Sequence, residues 1–358
     1  MAGVYVSYPF CAQKCTYCNF ASGVFPRELE AKYVDALRAE LRAAAWLWTP
    51  QTVYLGGGTP SQMDPRALAE LLAEIPGRPH GEKWSEATME AAPGTVTAEK
   101  AAAWTCAGIN RVSLGVQSFM RPELARTGRK HTAEIVEREV ALLREAAIEA
   151  INVDLIAGLP GQTRASWSES LDWVGRLGVP HVSVYMLEVD EDSRLGREIL
   201  GSGVRYGAAE VPADDDIADF YGLAVERLAR MGIERYEISN FARPGFESRH
   251  NLKYWRREPY LGFGADAHSF DGTMRWQNPE SAAEYVAGFP GPERVPADPK
   301  AERFFLGLRL REGVPGGEFP EVIDRFEREG LLERSHGRVR LTPRGVLLSN
   351  EVFAEFVA

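Results

Sequence analysis

Cys11, Cys15 and Cys18 form a C-x3-C-x2-C triplet directly behind the apolar run Val4-Tyr5-Val6. The last of the four cysteines in this 358-residue chain, Cys106, lies far away in an Ala-rich segment. Thiolates select zinc, Cu(I) or iron–sulfur clusters. A structural zinc site is almost always closed by four ligands, and no second Cys or His pair at such spacing follows. Three thiols cannot all pair off, and so short a loop is poor disulfide geometry. A 4Fe-4S cluster normally takes four cysteines. A triplet would hold three irons and leave the fourth open to a small chelating molecule. The spacing favours the cluster, with zinc and a structural or redox role as alternatives.

Other residues able to do chemistry recur at one kind of place. Gly56-Gly57-Gly58-Thr59, Glu90, Gln117 and Gly158 each follow a predicted strand, as Cys11 does. Consecutive glycines let a backbone approach a ligand with no side chain between; a loose strand-to-helix turn is the alternative. Glu90, Gln117, Arg129 and Asp154 read individually as either ligand contacts or plain strand ends and surface charges. In Ser248-Arg249-His250-Asn251-Leu252-Lys253-Tyr254-Trp255, a helical turn would put His250 and Tyr254 on one face. A His among aromatics suits heme iron; a buried His-Asn pair satisfying backbone groups is the alternative.

The elements that must position these residues alternate. Apolar runs predict strands over 3–7, 52–55, 85–91, 111–116, 151–156 and 181–187. Helical spacing and caps predict helices over 27–48, 64–75, 97–106, 132–148 and 163–177. This order indicates an α/β fold with parallel strands, a partial (β/α)6 TIM-like barrel, whose site lies at the C-terminal ends of the strands. A helix over 214–231 and a strand over 235–238 follow, then a loop-rich segment over 240–278 and a Pro/Gly-rich linker over 287–299. Helices over 299–310, 319–329 and 344–356, with strands over 331–333 and 339–341, suggest a winged-helix-like α+β module. The expected division is a barrel over 1–235, an extension over 236–290 and a C-terminal module over 291–358.

Hydrophobic content of 45% and charged content of 26% are ordinary for a globular protein. The net charge of −10 argues against broad electrostatic binding of nucleic acid. No basic N-terminal region or apolar signal core is present, and no apolar stretch approaches ~18 residues. A cytoplasmic protein is expected, since clustered cysteines suit a reducing compartment.

The triplet, followed by Asn19 and the aromatic Phe20, resembles the radical S-adenosylmethionine (SAM) superfamily. Tyr5-Val6-Ser7-Tyr8-Pro9-Phe10-Cys11 is similar to one branch, the HemW heme chaperones and the related oxygen-independent coproporphyrinogen III dehydrogenases. Glu90-Ala91-Ala92-Pro93-Gly94-Thr95 is similar to that branch's E-x-N-P-G-T, with Ala92 where Asn is usual. Asn110 to Phe119, Gly128-Arg129-Lys130-His131 and Asn152 to Thr163 continue the likeness. The resemblance implies a 4Fe-4S cluster on Cys11, Cys15 and Cys18. It implies SAM contacts by Gly57, Gly58, Thr59, Glu90, Gln117, Arg129 and Asp154, with Tyr5 and Tyr17 beside the cluster. It implies a radical SAM barrel with a C-terminal HemN-type module.

His250-Asn251-x-x-Tyr254-Trp255 looks like the HemW motif whose His is implicated in heme binding, and His268 is a second candidate. The dehydrogenase branch usually has a further Cys where Phe20 stands, and both branches usually have His where Ser7 stands. These departures favour a heme chaperone that delivers heme to acceptor proteins, meeting membranes only through them. Porphyrinogen decarboxylation, or another radical SAM reaction such as methyl transfer, is the alternative.

Overall fold

The computed structural model describes residues 2–77, 84–289 and 291–357. Residue 290, in the expected linker, lies outside these, as do Met1 and Ala358. Six strands run parallel and adjacent in chain order. They are β1 (Ala2–Tyr8), β2 (Pro50–Gly57), β3 (Glu86–Ala91), β4 (Arg111–Gln117), β5 (Ala150–Ala157) and β6 (His181–Met186). The crossover helices are α1 (Arg27–Ala43), α2 (Pro65–Ala73), α3 (Ala98–Ala107), α4 (Ala133–Glu145) and α5 (Arg164–Leu177), and α6 (Asp214–Arg230) follows β6.

Local chemistry sets the helix ends. Asp64 caps α2 through the N–H groups of Arg66 and Ala67, and Pro65 occupies its first turn. Thr163 and Ser166 close a reciprocal box at the start of α5. α1 buries Tyr33, Leu37 and Leu41 at the expected spacing but stops at Ala43, short of 48. Beyond it the chain is extended at Ala44, and the Trp46 ring reaches Phe263 at 5.4 Å between centroids. Tertiary packing of one aromatic ends the helix early.

Successive strand residues face opposite ways. Val4, Val6, Val53, Leu55, Met89, Val112, Leu114, Val153, Leu155, Val182 and Val184 are buried in the apolar core. Each such side chain contributes about 1.5–3 kcal/mol on burial. Their neighbours on the other face are polar, and they line a lumen.

The segment over 240–278, expected to be loop-rich, extends the sheet. β7 (Asn240–Ala242) pairs antiparallel with β6, and β8 (Tyr260–Phe263) runs parallel to β1 with Gly3 opposite Tyr260. β9 (His268–Phe270) and β10 (Met274–Gln277) continue beyond β8, with Val295–Pro296 at the edge. These strands are too short for alternation to show, and their partners come from the other end of the chain. The same twelve-stranded sheet takes Glu234–Arg235, β7 to β10 and Val295–Pro296, so it runs across both expected boundaries, at 235 and at 290. Between β7 and β8 lies α7 (Arg249–Trp255).

The C-terminal part has a three-stranded antiparallel sheet of Val314–Pro315, Arg338–Leu341 and Leu332–Ser335. The rings of Phe304, Phe319 and Phe356 pack mutually at 5.0–5.2 Å and join its helices. The expected last helix is two, Pro343–Leu347 and Ser349–Val357. Leu347, Ser349 and Asn350 at that break reach the main cavity. Among the described residues no helix is long and apolar enough to cross a membrane.

Candidate cluster and SAM cavity

A cavity of about 800 Å³ opens at the C-terminal ends of the parallel strands. The cysteine loop is stitched across it. Gly58 N–H donates to Tyr8 O at 2.8 Å and Thr59 N–H to Phe10 O at 2.9 Å, continuing the β1–β2 pairing past both strands. A Cβ on Gly58 would stand 2.7 Å from the Pro9 carbonyl carbon, so only glycine permits this approach. The glycine run therefore seats the backbone leading into Cys11 as well as lining the cavity. Across the mouth, Thr16 N–H donates to Thr127 O at 3.2 Å, and Leu195 N–H to Thr16 O at 2.8 Å.

Cys11, Cys15 and Cys18 are free, half-buried thiols on this cavity. Thr59 Oγ1 donates to Cys11 Sγ at 3.5 Å. Burial pushes the Cys11 thiol up, and the Thr59 and Ser22 hydroxyls offset part of that. Among the described residues no three such side chains are arranged to hold a single metal ion. In a 4Fe-4S cluster each thiolate holds a separate iron, so the ligands need not converge on one point.

Tyr17, Gly57, Gly58, Thr59, Glu90, Gln117, Arg129 and Asp154 all line the same cavity. Glu90 accepts from Tyr54 OH at 2.8 Å and from Gly57 N–H at 3.1 Å. Burial pushes its carboxyl up to about 7, against the Tyr54 hydrogen bond and with the nearby charge of Asp154 adding. Asp154 is also raised by burial, while Ser183, Ser113 and Asn152 hydrogen bonds restrain it. Arg129 donates to Tyr17 OH at 3.1 Å and to Gly115 O at 2.6 Å, tying the cysteine loop to β4. Gln117 sits at φ +70, where the β4–β5 register shifts. A non-glycine residue held there is strained.

Glu90 gives a pH prediction for the chain without ligands. Its folded value lies above the ordinary 4.5, so its contribution is fully present below that value and is lost as pH rises through about 7. Glu90→Gln removes this dependence. Relative to the variant, the wild type is expected to lose ~1–3 kcal/mol between pH 5 and 8. Parallel pH profiles of unfolding in the two proteins would contradict the buried-acid reading.

Two expected site residues lie elsewhere. Tyr5 does not line this cavity: its ring stacks on Tyr54 at 6.1 Å and faces a second cleft. His250, expected as a heme ligand, is fully buried beneath α7. Its Nδ1 hydrogen-bonds Thr52 Oγ1 at 2.9 Å and its Nε2 hydrogen-bonds Tyr254 OH at 2.7 Å. Burial, with Lys253 adding, drives its pKa down to about 3. A neutral imidazole has one N–H and one lone pair, and in this structure the Thr52 and Tyr254 hydroxyls engage both.

Other residues of the lumen were not picked out from the sequence. Asn152 links Ser113, Asp154 and Ser183, and its Oδ1 meets His181 Nδ1 at 2.6 Å. Arg111 pairs with Glu86 at 3.8 Å, both buried. Their signal was present: Arg111/Ser113, Asn152/Asp154 and His181/Ser183 recur with period two inside otherwise apolar strands.

The Radical SAM superfamily pattern matches residues 5–174, and the HemN C-terminal domain pattern matches residues 296–348. The fold is similar to that of coproporphyrinogen III oxidase (HemN) from Escherichia coli, with a TM-score of 0.82. That match covers 99% of this chain and 89% of the other at 21% identity. Fold and cysteine-lined cavity together define a radical SAM protein. Heme chaperone HemW of Lactococcus lactis is 33% identical over 99% of this chain and 96% of its own length. Heme chaperone HemW of Mycobacterium tuberculosis is 38% identical over 98% of this chain and 93% of its own. The chain belongs to the HemW family.

Membership brings a 4Fe-4S cluster and SAM, and the cavity fits both: three free thiols on one wall, a glycine edge and a buried carboxylate beside it. When bound, such a cluster supplies one-electron chemistry and an iron able to take the amino-acid end of SAM.

Proposed function

We propose that this protein binds heme and delivers it to acceptor proteins, and that its cluster–SAM cavity is a separate compartment. One observation carries the reading. Tyr254 and Trp255 of the H-N-x-x-Y-W segment line a second cleft of about 390 Å³, with Tyr5 and Tyr260 on its walls. An open, aromatic-walled cleft suits a planar macrocycle. The curated relatives along the full length are heme chaperones. On this reading Cys11, Cys15 and Cys18 hold the cluster, and Tyr17, Gly57, Gly58, Thr59, Glu90, Gln117, Arg129 and Asp154 surround SAM. The acceptor is a protein that takes heme, any approach to a membrane is made through it, and the compartment is the reducing cytoplasm.

Ser7 gains a different meaning. Its side chain is buried under the Gly57 turn, and its carbonyl accepts from Tyr33 OH at 2.9 Å. The departure from His at this position therefore lies beneath the cavity wall, not among the cavity's lining residues.

The test uses the full chain with its cluster reconstituted anaerobically. Titration with hemin is expected to give stoichiometric binding, and coproporphyrinogen with SAM is expected to remain unconverted. Turnover to protoporphyrinogen would replace the chaperone reading with the dehydrogenase one.

A further inference from the structure

A buried chain of hydrogen bonds runs through the lumen wall to Asp154. His181, the first residue of β6, is buried and stands opposite Asn152 on β5. Its Nε2 meets Tyr236 OH at 2.9 Å and its Nδ1 meets Asn152 Oδ1 at 2.6 Å. Asn152 Nδ2 reaches Asp154 Oδ1 at 2.7 Å, Ser113 Oγ at 2.6 Å and Ser183 Oγ at 3.0 Å. Ser113 Oγ donates to Asp154 Oδ2 at 2.9 Å, and Ser183 Oγ donates to Asn240 Oδ1 at 2.8 Å. Asn152, Ser113 and Ser183 are buried, while Asp154 is half-buried on the main cavity.

The protons of this chain are fixed from both ends. Ser248 N–H donates to Tyr236 OH at 3.1 Å. The phenol's own hydrogen is left for its other partner, His181 Nε2. Nε2 therefore accepts, and Nδ1 carries the ring proton. At the other end burial raises Asp154, but the Ser183, Ser113 and Asn152 hydrogen bonds and the Arg129 charge favour its ionised form. A carboxylate only accepts, which turns the Asn152 NH2 toward it and the Asn152 oxygen toward His181 Nδ1. That oxygen requires a proton on Nδ1. Both ends thus demand the same tautomer. Burial, with Arg111 adding, lowers the His181 pKa well below its ordinary value, so the ring stays neutral. The opposite tautomer would set a lone pair against the Asn152 oxygen. Turning the amide over to relieve this would press the same oxygen against the Asp154 carboxylate.

We infer that His181 is a positioning residue for the SAM cavity. Its Nδ1–H locks the Asn152 amide, and the locked amide holds Asp154 as a pure acceptor toward the cavity. A ligand must then offer hydrogen-bond donors at that point, and a group that only accepts is turned away. Both His181 nitrogens are engaged, so the residue acts through Asn152 and not on the ligand itself. The inference rests on Asp154 contacting SAM, as proposed above.

The test measures SAM binding to the full chain with its cluster reconstituted anaerobically, beside nitrogen-15 spectra of the histidine side chains. Wild type is expected to show His181 protonated at Nδ1 alone. His181→Leu is expected to bind SAM about tenfold more weakly at unchanged iron content. His181→Asn, whose amide can donate from the Nδ1 position, is expected to recover most of that loss. Tyr236→Phe leaves every group around Asp154 in place while removing the hydroxyl that fixes the tautomer. It is expected to let the Nε2–H form appear and to weaken SAM binding, and it decides the question if His181→Leu fails to fold. An Nε2-protonated ring in wild type, wild-type SAM affinity in both His181→Leu and Tyr236→Phe, or equal loss in His181→Leu and His181→Asn would overturn the positioning role. Asp154→Asn separates the two readings. Weakened SAM binding in that variant keeps Asp154 as a SAM contact whatever His181 does. Unchanged affinity there would overturn the Asp154 contact and this inference with it.

Discussion

Cys15→Ala is expected to abolish the 4Fe-4S cluster while leaving the fold in place. Cys15 is a free, half-buried thiol on the main cavity, and its backbone carbonyl accepts Cys18 N–H at 3.3 Å. Alanine preserves that bond and removes only the sulfur, so stability should move by no more than about 0.5 kcal/mol. On the proposed assignment the remaining thiols cannot replace it: Cys11 and Cys18 each hold another iron, and Cys106 is exposed on α3, away from the cavity lining. Iron content and visible absorbance after anaerobic reconstitution read the outcome. Cys106→Ala should retain both in full. Wild-type iron in the Cys15 variant would refute the three-cysteine assignment.

Glu86→Ala should produce the largest loss of stability. The carboxylate is 5% exposed and its partner Arg111 is 3% exposed. It also accepts from Ser248 Oγ at 3.3 Å and from the first N–H groups of α7. Truncation strands a buried guanidinium and the helix donors together. Breaking such a pair from one side costs about 3–5 kcal/mol. Glu86→Gln keeps an acceptor and should cost less. Because α7 carries Tyr254 and Trp255 into the second cleft, hemin binding should weaken in both variants while the cluster is retained. Urea midpoints within the range of ordinary surface substitutions would show that Glu86 does not hold this helix.

Much of the main cavity was legible in the residues. Strand-end placement of Cys11, Gly57, Glu90 and Gln117 follows from runs of apolar residues that stop at a glycine or a polar group, and the six parallel strands confirm that order. The polar side chains deeper in the lumen were equally present as a period-two pattern, but apolar residues dominate those strands and hide it. The strand Tyr260–Phe263 could not be read, because four residues carry no usable alternation and the pairing partner is β1.

Local spacing by itself marked the C-x3-C-x2-C triplet as a metal-ligand candidate, and the resemblance carried by short motifs along the chain pointed to the family. It also placed His250 and Tyr254 on one helix face, as their 2.7 Å hydrogen bond shows. What it could not decide is the surroundings of that imidazole. They come from Gly3, Thr52 and Glu86, brought against His250 from β1, β2 and β3. Availability of a lone pair is a matter of burial and hydrogen-bond saturation, and both are settled by residues remote in sequence, so only the tertiary structure could assign it.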